Sequence, residues 1–176
     1  MRGNKFKESG FSLVEVMVVM ALIAVLATLA APSYRVWIQN TRIRTTAESI
    51  QNGLQKAKTE ALRNNARVSF TLNGDASWAV GCVNPTATCP ANIETASKVE
   101  ATSDIAINTD SGNMVITFTN LGMRDPAEAA DEFNQVSIDM SSMSAADSRN
   151  LDVRVGPGGN VKMCDPEVVA PDLRAC

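Results

Sequence analysis

Apolar and polar positions divide the chain into three regimes. Residues 1–10, MRGNKFKESG, are polar and carry Arg2, Lys5 and Lys7. From Phe11 to Ala31 the chain reads FSLVEVMVVMALIAVLATLAA, with only Ser12, Glu15 and Thr28 polar. As a helix this run is roughly 31 Å long, enough to cross the hydrocarbon core of a bilayer. Basic residues before it and a long polar part after it predict an N-inside orientation.

After Pro32 the period changes. Val36, Ile43, Ala47, Ile50, Leu54, Ala57 and Ala61 recur at spacings of three, four or seven, which marks one face of a helix. The helix is expected to continue to about Asn64, to lay this stripe on the rest of the chain, and to present a basic face outward. Gly53 reads as a local weak point, costing about 1 kcal/mol relative to Ala. Asn64-Asn65 reads as the stop. From Ala66 onward the signals are strands: 67–73 and 77–82 about Gly74-Asp75, 99–107 and 113–119 about Asp110-Ser111-Gly112, then 135–140, 151–156 and 160–164, the last two joined across Pro157-Gly158-Gly159. Trp78 is expected to pack on the helix. Leu121–Phe133 and Ser141–Ser148 read as loops.

Seven short strands against one long helix predict an α+β fold, the helix crossing a membrane in its first half and packing on a small antiparallel sheet in its second. The expected organisation is a leader at 1–10, a transmembrane segment at 11–31, a continuation of the helix at 32–65, and a β-rich head at 66–176.

Charge and composition narrow the function. Ser33 to Arg67 holds seven basic residues against Glu48 and Glu60, while Val68 to Cys176 holds six basic against fifteen acidic. A basic rod under an acidic head suits stacking against copies or relatives, and it repels nucleic acid. The chain contains no histidine. That excludes a Ser-His or Cys-His nucleophile and the commonest metal ligand, so no catalytic residue, cofactor, metal or small-molecule substrate is expected. Paired acids such as Asp125/Glu128 and Asp131/Glu132 lack a calcium-loop pattern and read as a solvated loop. The cysteines form two local pairs. Of three possible connectivities, short loops favour Cys82–Cys89 with Cys164–Cys176. Reduced thiols or a four-cysteine zinc site are the alternatives, and the exported N-terminus argues for disulfides.

Glu15 fits neither of two simple readings of the apolar run. A cleaved secretory signal, with LATLAAPS as the cleavage region, would be shorter and free of a carboxylate. A plain anchor leaves Glu15 costing about 2.5–3.5 kcal/mol, somewhat less near the interface. No cation within the run compensates it, so a neighbouring molecule is the natural partner.

The string Gly10-Phe11-Ser12-Leu13-Val14-Glu15, followed by about twenty apolar residues and Pro32, resembles the type IV prepilin signature. The resemblance implies cleavage between Gly10 and Phe11 by a prepilin peptidase, methylation of the new Phe11 amine, and pairing of Glu15 with the Phe11 amine of an adjacent subunit. Pro32 is expected to loosen the helix or to mark its boundary. Lys56–Phe70, the early tryptophan strand and Gly158–Cys176 resemble the FimT/GspH branch of minor pilins and pseudopilins. That implies a minor type IV pilin in the inner membrane, its head in the periplasm, priming assembly or standing near the tip among other pilins. A type II secretion pseudopilin of the H type is the alternative. Some members of the branch contact DNA through a Gly-Arg-x-Arg turn. The matching positions here are Gly159, Asn160, Val161 and Lys162, so both arginines are replaced. Arg154, Lys162 and Arg174 are the residues available for DNA, and the resemblance gives that role little support.

Overall fold

In the computed structural model, residues 11–97 and 104–176 are described. The leader 1–10, with Gly10, and residues 99–103 of the expected strand 99–107 lie outside them. The chain divides into two units, Met1–Trp37 and Ile38–Cys176.

Helix α1 runs from Leu13 to Asn64 and passes through Pro32. Helix therefore does not stop at Pro32. In the first unit every residue from Phe11 to Arg35 is exposed. In the second, α1 buries Ile43, Thr46, Ala47, Ile50, Gly53, Leu54, Ala57, Glu60 and Ala61, spaced three and one apart. From Ile43 on this is the stripe expected from the sequence, widened by Thr46, Gly53 and Glu60, whereas Val36, its expected first member, is only half-buried. The helix ends as Asn64-Asn65 predicts, for a definable reason. Asn65 adopts φ 49°, Ala66 N–H donates to the Ala61 carbonyl at 3.2 Å and Asn65 N–H to that of Leu62 at 3.4 Å. The left-handed residue and the two reversed bonds form a Schellman cap.

Among the described residues eight strands follow: β1 (Val68–Leu72), β2 (Trp78–Cys82), β3 (Glu94–Ala96), β4 (Ile105–Thr109), β5 (Val115–Phe118), β6 (Gln135–Met140), β7 (Leu151–Val155) and β8 (Val161–Cys164). They make two four-stranded sheets, in the orders β3-β2-β1-β5 and β4-β6-β7-β8, and every pairing is antiparallel. Among the described residues the strands expected from the sequence are joined by one more, β3, which is too short to show an alternating pattern. The strands flanking the Asp110-Ser111-Gly112 turn do not pair with each other: β4 pairs with β6, whereas β5 crosses to the free edge of β1. The Asp110 carboxylate explains the divergence. It accepts bonds from the backbone N–H groups of Asn134 and Gln135 and from the Asn134 amide, so the turn is tied to the start of β6.

Alternate positions of β1 and β6 face inward: Val68, Phe70 and Leu72, then Val136, Ile138 and Met140. Phe70 stands edge-on to Phe133 at 6.4 Å and tilted to Trp78 at 5.7 Å. Trp78 packs on α1 as expected, its indole N–H donating to the Ser49 hydroxyl at 3.0 Å. Gly53 is more than a weak point. A Cβ there would lie 2.6 Å from the Phe70 ring and 2.9 Å from that of Trp78, so glycine lets the helix seat against β1 and β2.

Candidate functional site

The sequence singles out three places: the start of the apolar helix, the cysteine pairs, and the C-terminal cations. At the first, Phe11 is 81% exposed and Glu15 stands among exposed apolar side chains. Phe11, Glu15, Val16, Val19, Met20 and Ile23 line a groove of about 230 Å³ on this helix. No Lys or Arg occurs between Phe11 and Ser33, so the segment supplies no counter-ion of its own to Glu15. An apolar surface of this length gains nothing from folding alone; it is built to be covered by lipid or protein.

Cys82 is bonded to Cys89 with Cα atoms 5.8 Å apart, and Cys164 to Cys176 at 5.0 Å. The first bond closes the loop leaving β2. The second fastens the tail beside β8, where Asp165 N–H also donates to the Arg174 carbonyl at 2.7 Å.

Of the three C-terminal cations the fold brings two together. Arg154 on β7 and Lys162 on β8 are register partners, and both line a cleft of about 300 Å³ with Asp110, Asn134, Gln135 and Asn160. Each is already engaged. Lys162 donates to the Ala175 carbonyl at 2.8 Å. Arg154 reaches the Cys176 carbonyl at 3.4 Å and the Asp152 carboxylate at 3.2 Å. Asp152 is 1% exposed and also accepts from Gln135 and Ser137. Arg174 sits apart on the tail, forked onto Asp172 at 3.2 and 2.8 Å. Those hydrogen bonds hold the Asp172 carboxyl down at about 2.

The acidic loop departs in part from its expected solvated state: Glu128 and Asp131 are exposed, but Asp125 and Glu132 are buried. Arg67 bridges Asp125 at 2.6 Å and Glu128 at 2.9 Å; the Glu128 hydrogen bond and the nearby carboxylates raise the guanidinium pKa against the opposing effect of burial. Among the described residues no group of three Cys, Asp or Glu is placed to hold a metal ion. Sequence reasoning also missed Lys58, whose ammonium donates to the Gly159 carbonyl at 2.9 Å. Gly159, at φ +69°, leaves no room for a side chain, because a Cβ there would collide with the Gly122 carbonyl oxygen. The turn compared with a DNA-contact motif is thus clamped to α1.

Residues 46–159 match the family described as Type II transport protein GspH. The chain belongs to the GspH family. Residues 5–31 match the prokaryotic N-terminal methylation motif, which covers Gly10, Phe11 and Glu15. No protein of curated function matches. Among solved structures the fold is similar to the type IV minor pilin FimU of Pseudomonas aeruginosa in two crystal forms. One matches with TM-score 0.56 over 77% of this chain and 98% of that one, the other with 0.52 over 73% and 98%, each at 13% identity. GspH membership makes this chain a pilin or pseudopilin type of subunit. Its apolar N-terminal helix and methylation motif fit a membrane-anchored one.

Proposed function

We propose that this chain is a minor type IV pilin, held in the inner membrane with its head in the periplasm until it joins other pilins in priming a filament or forming its tip. A prepilin peptidase cuts between Gly10 and Phe11 and the Phe11 amine is methylated. Residues 11–31 then form the membrane and filament-core segment, 32–65 the rod, and 66–176 the head. One observation carries the reading: a fully exposed apolar helix bears a single carboxylate, Glu15, near its start and continues into a stripe buried on a β-rich head. A carboxylate leaving water requires a close partner, and the Phe11 amine of an adjacent copy or relative offers one at that depth. Pro32 lacks the N–H that would bond back to Thr28, so assembly can loosen the helix there. Cys82–Cys89 and Cys164–Cys176 brace two loops, contributing about 2–4 kcal/mol each.

A second reading, an H-type pseudopilin of a type II secretion system, is favoured by the description of the matching family. Mass spectrometry of the native N-terminus, with a Glu15→Ala strain, tests what the two share. A chain starting at N-methylated Phe11, with Glu15→Ala processed but missing from sheared filaments, is expected. Cleavage after Ala30 or Ala31 would overturn both. Deletion separates them: loss of twitching supports the pilin, loss of exoprotein secretion the pseudopilin.

A further inference from the structure

Two large aromatic rings stand in the open just past the apolar run. Tyr34 and Trp37 are each 61% exposed, and their rings stack with centroids 5.8 Å apart and planes 27° apart. Aromatics are scarce in this chain, with one Tyr and two Trp. Trp78 is 5% exposed in the core; the one Tyr of the sequence and its other Trp are exposed on the helix surface.

Their position along the helix gives them a use. Tyr34 and Trp37 lie three and six residues beyond Ala31, about 4.5 and 9 Å along the axis. Helical side chains lean toward the N-terminus, so both rings tip back toward the end of the apolar run. Three-residue spacing puts them on one face. When Phe11–Ala31 fills a core of about 30 Å, the headgroup layer beyond it is about 5–7 Å deep, so Tyr34 falls within it and Trp37, tipped back, reaches its outer edge. Tyr and Trp join an apolar body to a polar tip, the composition that layer selects. Arg35 is exposed between them. No acidic residue occurs from Val16 to Ala47, so no carboxylate on this stretch of sequence competes with phosphate for Arg35.

We propose that Tyr34 and Trp37, with Arg35, form an anchor for the phospholipid headgroup layer and fix the depth at which the helix stands in the bilayer. The occupant is the glycerol and phosphate region of the lipid. This rests on Phe11–Ala31 spanning the membrane, so the test reports on the span separately.

The full chain is placed in phosphatidylglycerol-containing vesicles whose acyl chains are brominated either near the glycerol or near the methyl end. Subtracting the fluorescence of Trp37→Phe from that of the wild type isolates Trp37 and leaves the core Trp78 untouched. The expected result is stronger quenching of Trp37 by the shallow bromines than by the deep ones, with protection from aqueous iodide. Quenching by iodide and by neither lipid overturns the anchor, because the rings then face water or protein. Stronger quenching by the deep bromines overturns it too. Met20→Trp in the Trp37→Phe background reads the span: deep quenching there with none at Trp37 removes the anchor alone. Its absence at position 20 removes both. Adding Tyr34→Ala to Trp37→Phe should blunt the depth selectivity of the position 20 probe; an unchanged profile would show that the rings set no depth.

Discussion

Glu132 is 4% exposed, and its carboxylate oxygens make no hydrogen bond of full geometry, Thr117 being the neighbour that comes nearest to one. Burial pushes its carboxyl up from the ordinary 4.5, while Thr117 and Arg124 pull the other way without cancelling the shift. The effect on stability has a definite sign. Between the ordinary value and the raised one the folded chain holds the proton more often than the unfolded chain, so stability falls as pH rises through that window. Above it the full penalty of a buried charge applies. Glu132→Gln replaces that charge with a neutral amide, which is less costly to bury. The variant should therefore melt higher than the wild type at pH 7, with the gain vanishing below the ordinary carboxylate range. Thermal unfolding followed by circular dichroism at both ends of the window checks it, and equal melting temperatures at pH 7 would show that Glu132 is solvated. Asp110 behaves oppositely. Burial would raise it, but hydrogen bonds from Asn134 and Gln135 bring it below its usual value, so its contribution is present above the usual value and is lost as pH falls from there through the lowered one.

At the scale of elements, seating α1 on β1 and β2 makes Gly53 a test of packing against propensity. Alanine favours a helix over glycine by about 1 kcal/mol. A Cβ forced against the Phe70 and Trp78 rings costs about 1–3 kcal/mol. Gly53→Ala should therefore lower the urea midpoint of the full chain in detergent, and Gly53→Ala with Phe70→Leu should recover part of the loss. A midpoint raised by Gly53→Ala alone would show that the rings yield freely. The sequence shows that residue 53 lies on the buried stripe but not which rings oppose it. The same boundary between local and non-local information runs through the fold. The α+β class, the helix end at Asn64-Asn65 and the β1–β2 and β7–β8 hairpins were legible because turn chemistry and periodicity are local. The separation of β4 from β5 was not, since it depends on an Asp110 side chain reaching Asn134 and on an edge left open by β1, far back along the chain. Glu15 was legible because a carboxylate in an apolar run is anomalous without any structure. Tyr34 and Trp37 were not, because nothing in their spacing distinguishes an exposed aromatic pair from a buried one.

At the scale of the molecule, the basic stretch 33–67 and the acidic remainder are complementary, and the fold uses part of that complementarity internally. Arg67 takes Asp125 and Glu128, Lys56 takes Glu60 and Glu94, and Arg63 takes Glu60. The basic face expected to meet other subunits is correspondingly reduced. Polyanion binding requires cations free to displace counter-ions. Lys162 is bonded to the tail, Arg154 to Asp152 and the tail, and Arg174 to Asp172, all within residues 68–176, which hold fifteen acidic residues against six basic. We therefore expect the full chain in micelles to show no retention of duplex DNA at physiological salt, and Lys162→Glu to change nothing. Lys162 is the position to alter, because removing Arg154 would strip a partner from the buried Asp152 and confound binding with stability. Gel retardation across a salt series decides the matter. A complex whose affinity falls with salt at a log–log slope steeper than about −2 would mean that two or more phosphates are neutralised. Were Lys162→Glu then to flatten that slope, the C-terminal cleft would be a DNA contact in spite of its tail.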